Sequence, residues 1–261
     1  MIESLELLFA RAEELLDRSR RQMVITYTDF LTPQEQMRLS RHLSGSADEW
    51  AFFGGYDGAE RRRMFFLPAY LAELEETDRA ACLQESFAEC LIPLEIRGSG
   101  YRELSHRDFL GAVLHLGVER DRIGDICVLS PHRATLFCDR VMADFFTENL
   151  SRVANDAVKL SIVTLSADFD GGRRFERISD TVASPRADAV VAALANLARE
   201  KAQALFREGR VEIDYEPEAR TDRTVDAGTV IVIRGCGKFI IRSLSDKTRK
   251  GRYRLLADRY V

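Results

Sequence analysis

The stretch Asp125-Ile126-Cys127-Val128-Leu129-Ser130-Pro131-His132-Arg133-Ala134-Thr135-Leu136-Phe137-Cys138 decides how the middle of the chain folds. Its two apolar runs, Asp125–Leu129 and Ala134–Cys138, flank a Ser-Pro-His turn, the pattern of two paired strands. Upstream, Ser105–Leu116 places Phe109, Leu110, Val113 and Leu116 on one helical face; downstream, Arg140–Leu150 reads as a second helix. Ala88–Ile96 and Val158–Leu165 read as the first and last strands in chain order. The resulting order, βαββαβ, is that of a ferredoxin-like split βαβ unit, expected over residues 81–182.

The same order describes RNA-recognition-motif domains, so the central unit is RRM-like in outline. Their stacking signature needs K/R-G-F/Y-G/A-F-V-x-F/Y on an inner strand. Arg133–Cys138 does not match it, and base stacking on this sheet is not expected. Before this unit, residues 1–80 read as a mixed α/β domain. Leu5, Leu8, Phe9, Ala12, Leu15 and Leu16 recur at helical spacing over residues 1–21. Thr32-Pro33-Gln34-Glu35 opens a second helix, with Thr as N-cap, Pro at N1 and Glu at N3. Trp50–Tyr56 and Arg61–Leu67 read as a hairpin around Asp57-Gly58. Gly172–Thr181 extends the central sheet or connects it onward, and Ser184-Pro185 marks the next boundary. Residues 183–261 then give helices at Ala187–Ala195 and Arg199–Glu208, with Gly209 as C-terminal cap. Strands follow near Val211–Ile213, Thr229–Arg234 and Lys238–Leu244, and a basic tail closes the chain. The fold class expected is α+β in three parts.

The 261 residues are 46% hydrophobic and 31% charged, an ordinary globular composition that argues against wholesale disorder. No run approaches about 18 uninterrupted apolar residues, so no membrane span is expected. The opening residues lack the basic and apolar regions of a signal peptide. The five cysteines (Cys82, Cys90, Cys127, Cys138, Cys236) form no C-x-x-C pair, which fits buried thiols in a reducing cytoplasm. The net charge of −4 is unevenly spread: residues 1–183 carry 22 basic and 31 acidic side chains, residues 184–261 carry 16 and 11. A basic terminal module on an acidic body points to a polyanionic partner, or else to a plain solvated surface.

Catalytic and metal patterns are missing. His106-Arg107-Asp108 resembles a kinase catalytic loop, but the position that needs a metal-holding Asn is Val113. It reads as a helix N-terminus capped by Ser105. Gly235-Cys236-Gly237 is a turn between strands, not a dinucleotide fingerprint. Phosphate-loop, zincin and nucleophile-elbow patterns are absent, and His42, His106, His115 and His132 do not pair with cysteines at zinc spacing. No enzymatic activity, metal or cofactor is expected.

The end of the chain carries recognisable residues. Arg186-Ala187-Asp188, then Arg199-Glu200-Lys201-Ala202-Gln203-Ala204-Leu205-Phe206-Arg207-Glu208-Gly209-Arg210-Val211, resembles the S4 RNA-binding domain. The matching positions are Arg186, Asp188, Arg199, Ala202, Leu205, Gly209 and Val211; Gly228 and Val230–Gly235 fit the following strand loosely. Ala198 stands where an N-cap Ser is usual, Asp214-Tyr215-Glu216-Pro217 replaces a V-N-G-K hairpin, and Thr229 stands where Asp is common. Independently of the resemblance, Ala198, Ala202, Leu205 and Phe206 form one apolar stripe, which fixes the face of the helix. Arg199, Gln203 and Arg207 follow one flank at i, i+4 and i+8, and Arg199, Lys201 and Arg207 are expected to project outward.

Gly100-Tyr101-Arg102-Glu103-Leu104-Ser105-His106-Arg107-Asp108-Phe109-Leu110-Gly111, with Leu116-Gly117-Val118, Arg122-Ile123-Gly124-Asp125-Ile126 and the end Lys247-Thr248-Arg249-Lys250-Gly251-Arg252, is similar to the YlmH-type S4 proteins of bacteria and plastids. The resemblance covers about residues 50–254. It implies an N-terminal domain, an RRM-like central domain and an S4 module. It also implies association with ribosomal large subunits and tRNA, including rescue of stalled large subunits carrying peptidyl-tRNA; some members are linked to cell division or photosystem assembly. The expectation is a cytoplasmic, monomeric, non-enzymatic protein docking on rRNA or tRNA of the large subunit. The RNA contacts expected are Arg186, Arg199, Lys201, Gln203, Arg207, Arg210, Arg234, Lys238, Lys247, Arg249, Lys250 and Arg252. Two rivals are an RNA-modifying enzyme of the pseudouridine synthase or methyltransferase class with an appended S4 module, and a structural partner in a protein complex.

Overall fold

The computed structural model describes residues 5–248 and 251–261, without the side chains of residues 72, 80, 89, 246 and 247. The chain divides into two compact units, Met1–Gly172 and Arg173–Val261. Both are α+β with antiparallel sheets.

The first unit opens with α1 (Leu5–Gln22), β1 (Thr26–Tyr27), α2 (Pro33–His42), β2 (Trp50–Phe53), β3 (Arg63–Phe66), α3 (Tyr70–Glu73) and α4 (Glu76–Cys90). The capping box at Thr32 forms as its sequence predicts: Glu35 N–H bonds the Thr32 hydroxyl, and the Glu35 carboxylate accepts the Thr32 N–H at 2.6 Å. β2 and β3 pair antiparallel, in the sheet order β1-β3-β2. Their connection is longer than a tight Asp-Gly turn, because Asp125 anchors it. Its carboxylate accepts the N–H groups of Glu60 (2.8 Å) and Arg61 (3.0 Å) and the Tyr56 hydroxyl (2.8 Å).

The chain continues as β4 (Ile92–Gly98), α5 (His106–His115), β5 (Ile123–Ser130), β6 (Arg133–Cys138), α6 (Arg140–Asn149), β7 (Arg152–Val153) and β8 (Asp156–Ile162). The strands lie in the order β5-β6-β4-β8-β7, with antiparallel neighbours throughout. α5 begins at Ser105 with a capping box to Asp108, so His106-Arg107-Asp108 is a helix start. One sheet face sends Leu94, Ile96, Ala134 and Leu136 into a core with Phe109 and Val113 of α5 and Ala143 and Phe146 of α6. Each fully buried Leu, Val or Phe there contributes about 1.5–3 kcal/mol of transfer free energy. The other face is partly covered by residues from the N-terminal elements. Phe137 is fully buried beneath Tyr56 (ring centroids 5.2 Å apart) and Phe169 (6.1 Å). Gly55, at φ +99°, lies against this ring so closely that a Cβ would overlap it.

Two expectations are corrected here. Residues 88–90 are the last turn of α4, and the strand starts at Ile92. The boundary expected between 80 and 81 falls inside α4. Phe30, Tyr56 and Phe65 share one buried cluster with Cys127 and Phe137, so residues 1–80 and the central sheet are a single body.

The second unit comprises β9 (Phe175–Val182), α7 (Ala187–Leu194), α8 (Arg199–Arg207), β10 (Val211–Ile213), β11 (Glu216–Pro217), β12 (Val230–Ile233), β13 (Gly237–Lys247) and β14 (Tyr253–Tyr260). Its sheet runs β11-β10-β12-β13-β14-β9. Val190, Val191, Ala202, Leu205 and Phe206 of the helices pack on Ile231, Ile233, Phe239, Ile241, Leu255 and Ala257. Gly209, at φ +63°, ends α8 in the left-handed conformation that glycine adopts at no steric cost. The boundary expected at 182/183 moves to 172/173. β9 pairs along its whole length with β14, from Phe175↔Tyr260 to Val182↔Tyr253, and does not extend the central sheet. Ser184-Pro185 is thus a turn within the second unit, and of the expected basic tail Lys247 ends β13 while residues 253–260 form β14, between β13 and β9.

Candidate nucleic-acid interface

α7 and α8 bring three of the expected RNA contacts onto one buried carboxylate. Asp188, in the first turn of α7, is 0% exposed. Arg199 donates to it twice, Nε to Oδ2 at 3.0 Å and Nη2 to Oδ1 at 3.1 Å. Gln203, one turn later, donates Nε2 to Oδ2 at 3.0 Å, and Arg186 donates at 3.3 and 3.4 Å. Burial pushes the Asp188 carboxyl up. The hydrogen bonds from Gln203, Arg186 and Arg199 and the Arg199 charge outweigh it, and the net shift is downward. Arg186 and Arg199 stay 41% and 51% exposed, so their remaining donors face water in a fixed orientation. Arg199 therefore does not project freely, contrary to the reading from helical spacing alone. The apolar stripe does fix the helix face, but a buried acid across the helix pair turns this side chain onto itself.

Lys201 and Arg207 are exposed and make no ion pair among the described residues. At 100° per residue, Arg207 shares the flank of Arg199 and Gln203, while Lys201 points to the opposite flank. As expected, Ala198 caps α8 without a side-chain hydrogen bond. The remaining expected contacts are not gathered with these. Arg210 bonds the Arg234 carbonyl (2.8 Å) and Glu208 (3.3 Å), and Arg234 pairs with Glu212 (3.2 Å). Lys238 lies on the opposite face of the sheet from the helices, its Nζ 4.8 Å and 4.7 Å from the Tyr215 and Tyr260 ring centroids. Arg252 bonds the Thr181 hydroxyl at 2.9 Å. Arg249 and Lys250 lie outside the described residues, as does the side chain of Lys247.

The central sheet holds cations that the sequence reading missed. Arg133, Arg97 and Lys159 are cross-strand neighbours on β6, β4 and β8, and all are exposed. Glu95, 4% exposed, pairs with Arg97 at 2.8 Å and with Arg133. Like charges side by side on a sheet repel one another, and the Glu95 carboxylate offsets two of the three. The signal was one exposed basic residue on each of the three strands, but only the register brings them together. Elsewhere in this unit, a cleft of about 1020 Å³ is lined by Arg11, Asp29, Arg63, Arg122 and Asp139. Its charges are paired among themselves: Arg63 with Asp139 (3.1 Å), Arg122 with Asp29 (3.1 Å) and Asp139 (3.2 Å). That network ties β3 to the start of α6. No helix among the described residues is long and apolar enough to cross a membrane.

Residues 84–167 match a family model described as "Putative RNA-binding domain in YlmH". The chain is 32% identical over 233 residues to the ribosome-associated protein quality control protein P2 of Bacillus subtilis (strain 168), across 89% of this chain and 86% of the relative. The chain belongs to the YlmH family. The solved structure of the cell division protein ylmH from Streptococcus pneumoniae superposes on this YlmH-family chain with a TM-score of 0.48 and 19% identity, covering 65% of this chain and 96% of that one. The matched region runs from within α4 through β4, α5, β5, β6, α6, β7 and β8 and includes Arg97, Arg133 and Lys159. The expected contacts all lie instead in the second unit.

Proposed function

We propose that this YlmH-family chain is a non-enzymatic, monomeric RNA-binding protein that docks on structured rRNA or tRNA of the ribosomal large subunit. Its role is in translation, in the rescue of stalled large subunits. On this reading the βαββαβ sheet is a ferredoxin-like, RRM-like domain and the second unit an S4 module. The observation that carries it is the Asp188 cluster. A buried carboxylate holds Arg186 and Arg199 rigid at the surface, beside the exposed Arg207 on the same helix flank. Pre-oriented guanidiniums suit phosphate oxygens, and such contacts give affinity with little base specificity. The second unit, with 19 basic and 13 acidic residues over 173–261, supplies the field that attracts RNA. The family membership and the ribosome-associated Bacillus relative support the ribosomal destination.

The test is cosedimentation of the full chain with large subunits at low salt. Lys201→Glu with Arg207→Glu touches no core position and should abolish cosedimentation while leaving the circular dichroism spectrum unchanged. Wild-type binding should fall steeply as salt rises, because phosphate contacts release counterions. A folded double variant that sediments like wild type would remove α8 from the interface.

A further inference from the structure

The sheet of the second unit has one face under the helices and one turned away from them. Phe239, Ile241, Leu255 and Ala257 fill the helix side. Residues that alternate with them carry rings and cations on the other. Lys238 sits between two rings, 4.8 Å from the Tyr215 centroid and 4.7 Å from that of Tyr260. Tyr260 meets Phe175 edge-on at 4.9 Å, directly across the β14–β9 pair. The Arg242 guanidinium, from the same strand as Lys238, reaches to 5.5 Å from the Phe175 centroid. Arg173 approaches the Tyr260 ring at 6.0 Å. From the β10–β11 turn through β13 and β14 to β9, the row reads ring, cation, ring, ring.

Three features separate this row from an incidental surface. Arg242 is not left to solvent: its Nε bonds Asp258 at 2.7 Å, and Asp258, 5% exposed, also faces Arg177 at 3.5 Å. A buried acid thus orients cations here as Asp188 does on the helix side. Tyr215 stands at φ +63°, next to Asp214 at φ +52°, in a two-residue turn where glycine or asparagine is the low-strain choice. An aromatic ring is kept where the backbone disfavours it, and that ring lines the row. Phe175 is 42% exposed, an apolar ring facing water on an edge strand, where polar residues normally guard against pairing.

We infer that this face is a stacking platform for unpaired RNA bases, with Phe175, Tyr215 and Tyr260 as the stacking rings and Lys238, Arg242 and Arg173 as phosphate partners. Every base has a π-face, so alternating rings and cations bind single strands with little sequence preference. The charge complements RNA, since the acid within the row, Asp258, is already taken by two arginines. The inference rests on the RNA-binding reading above but uses the opposite face of the module. A structured RNA held by α8 would be read there by its backbone, and a flanking loop or end would be read here by its bases.

The experiment measures fluorescence anisotropy of the full chain with two probes at low salt: a labelled single strand of about eight nucleotides of oligoadenosine, and a blunt RNA duplex. Phe175→Leu with Tyr260→Leu should weaken single-strand binding by about tenfold or more and leave duplex binding unchanged. Tyr260→Phe, which keeps the ring, should bind the single strand like wild type, and an abasic version of the strand should bind wild type as weakly as the oligoadenosine binds the leucine variant. Lys201→Glu with Arg207→Glu should do the reverse, losing the duplex first. If the leucine variant, or Tyr260→Ala should the double variant misfold, binds the single strand like wild type, the platform is overturned. If duplex binding still depends on Arg207 in that case, the proposed function stands. Equal loss of both probes in a folded leucine variant, or no single-strand binding by wild type, would also overturn it. Loss of neither probe with the Arg207 variant would instead count against the helix interface.

Discussion

Reversing Arg199 should unfold the second unit before it tests RNA binding. Asp188 is fully buried, and Arg199 supplies two of the hydrogen bonds that make its charge tolerable. Removing one partner of a buried pair costs about 3–5 kcal/mol. Arg199 is half exposed, so solvent screening moves the figure to the lower end, about 3 kcal/mol for Arg199→Glu. The dipole benefit of an acid near the start of α8 is only about 0.3–1 kcal/mol and does not offset this. Arg199→Gln leaves Arg186 and Gln203 on the carboxylate and should cost about 1 kcal/mol. For a unit spanning residues 173–261, each kcal/mol moves the transition by about 4–8 °C. The expected drops are therefore roughly 12–24 °C for Glu and 4–8 °C for Gln. Differential scanning calorimetry of the full chain reads them, with Arg207→Glu as a control expected within about 2 °C of wild type. If Arg199→Glu melts as the control does, Asp188 does not depend on this pair, and the geometry of the cluster is not what holds α7 to α8.

The same cluster sets an acid limit. The folded pKa of Asp188 is depressed, so its contribution is fully present above the ordinary carboxylate range and is lost as pH falls through the depressed value. Asp188→Asn should be less stable at neutral pH and should show a flatter loss of stability on acidification; an unchanged pH profile would contradict the linkage. In the first unit, Phe137→Ala should destabilise residues 1–172 by about 3–5 kcal/mol in urea titrations, because Phe137 is fully buried between the sheet and Tyr56. Lys159→Gln should lower the slope of log affinity against log salt by about one if the Arg133-Arg97-Lys159 ladder contacts phosphate; an unaltered slope would remove the central sheet from the interface. A fragment ending at Gly172 should fold alone, while one starting at Ser184 should aggregate or unfold, since it lacks β9 and bares the edge of β14.

Local signals were legible in the residues themselves. The capping boxes at Thr32 and Ser105 and the C-terminal glycine at 209 depend on neighbours within a few positions, and they stand where the sequence puts them. So do the strands around Ser130-Pro131-His132 and the two helices after Pro185. The spacing of Asp188, Arg199, Ala202 and Leu205 was readable for the same reason: these residues share one helix pair. Non-local pairing was not readable. Phe175–Val182 carries no apolar alternation strong enough to choose a sheet, and only its ladder with Tyr253–Tyr260 assigns it to the second unit. The Arg133-Arg97-Lys159 ladder is scattered along the chain and exists only through strand register. Phe175, Lys238 and Tyr260 likewise meet only through pairing across the sheet. Spacing on one helix gave Arg199 an outward direction, and the tertiary structure overruled it with Asp188. A helical period says which face a side chain leaves from. What it meets there depends on a charge eleven residues away, brought near by the packing of α7 on α8.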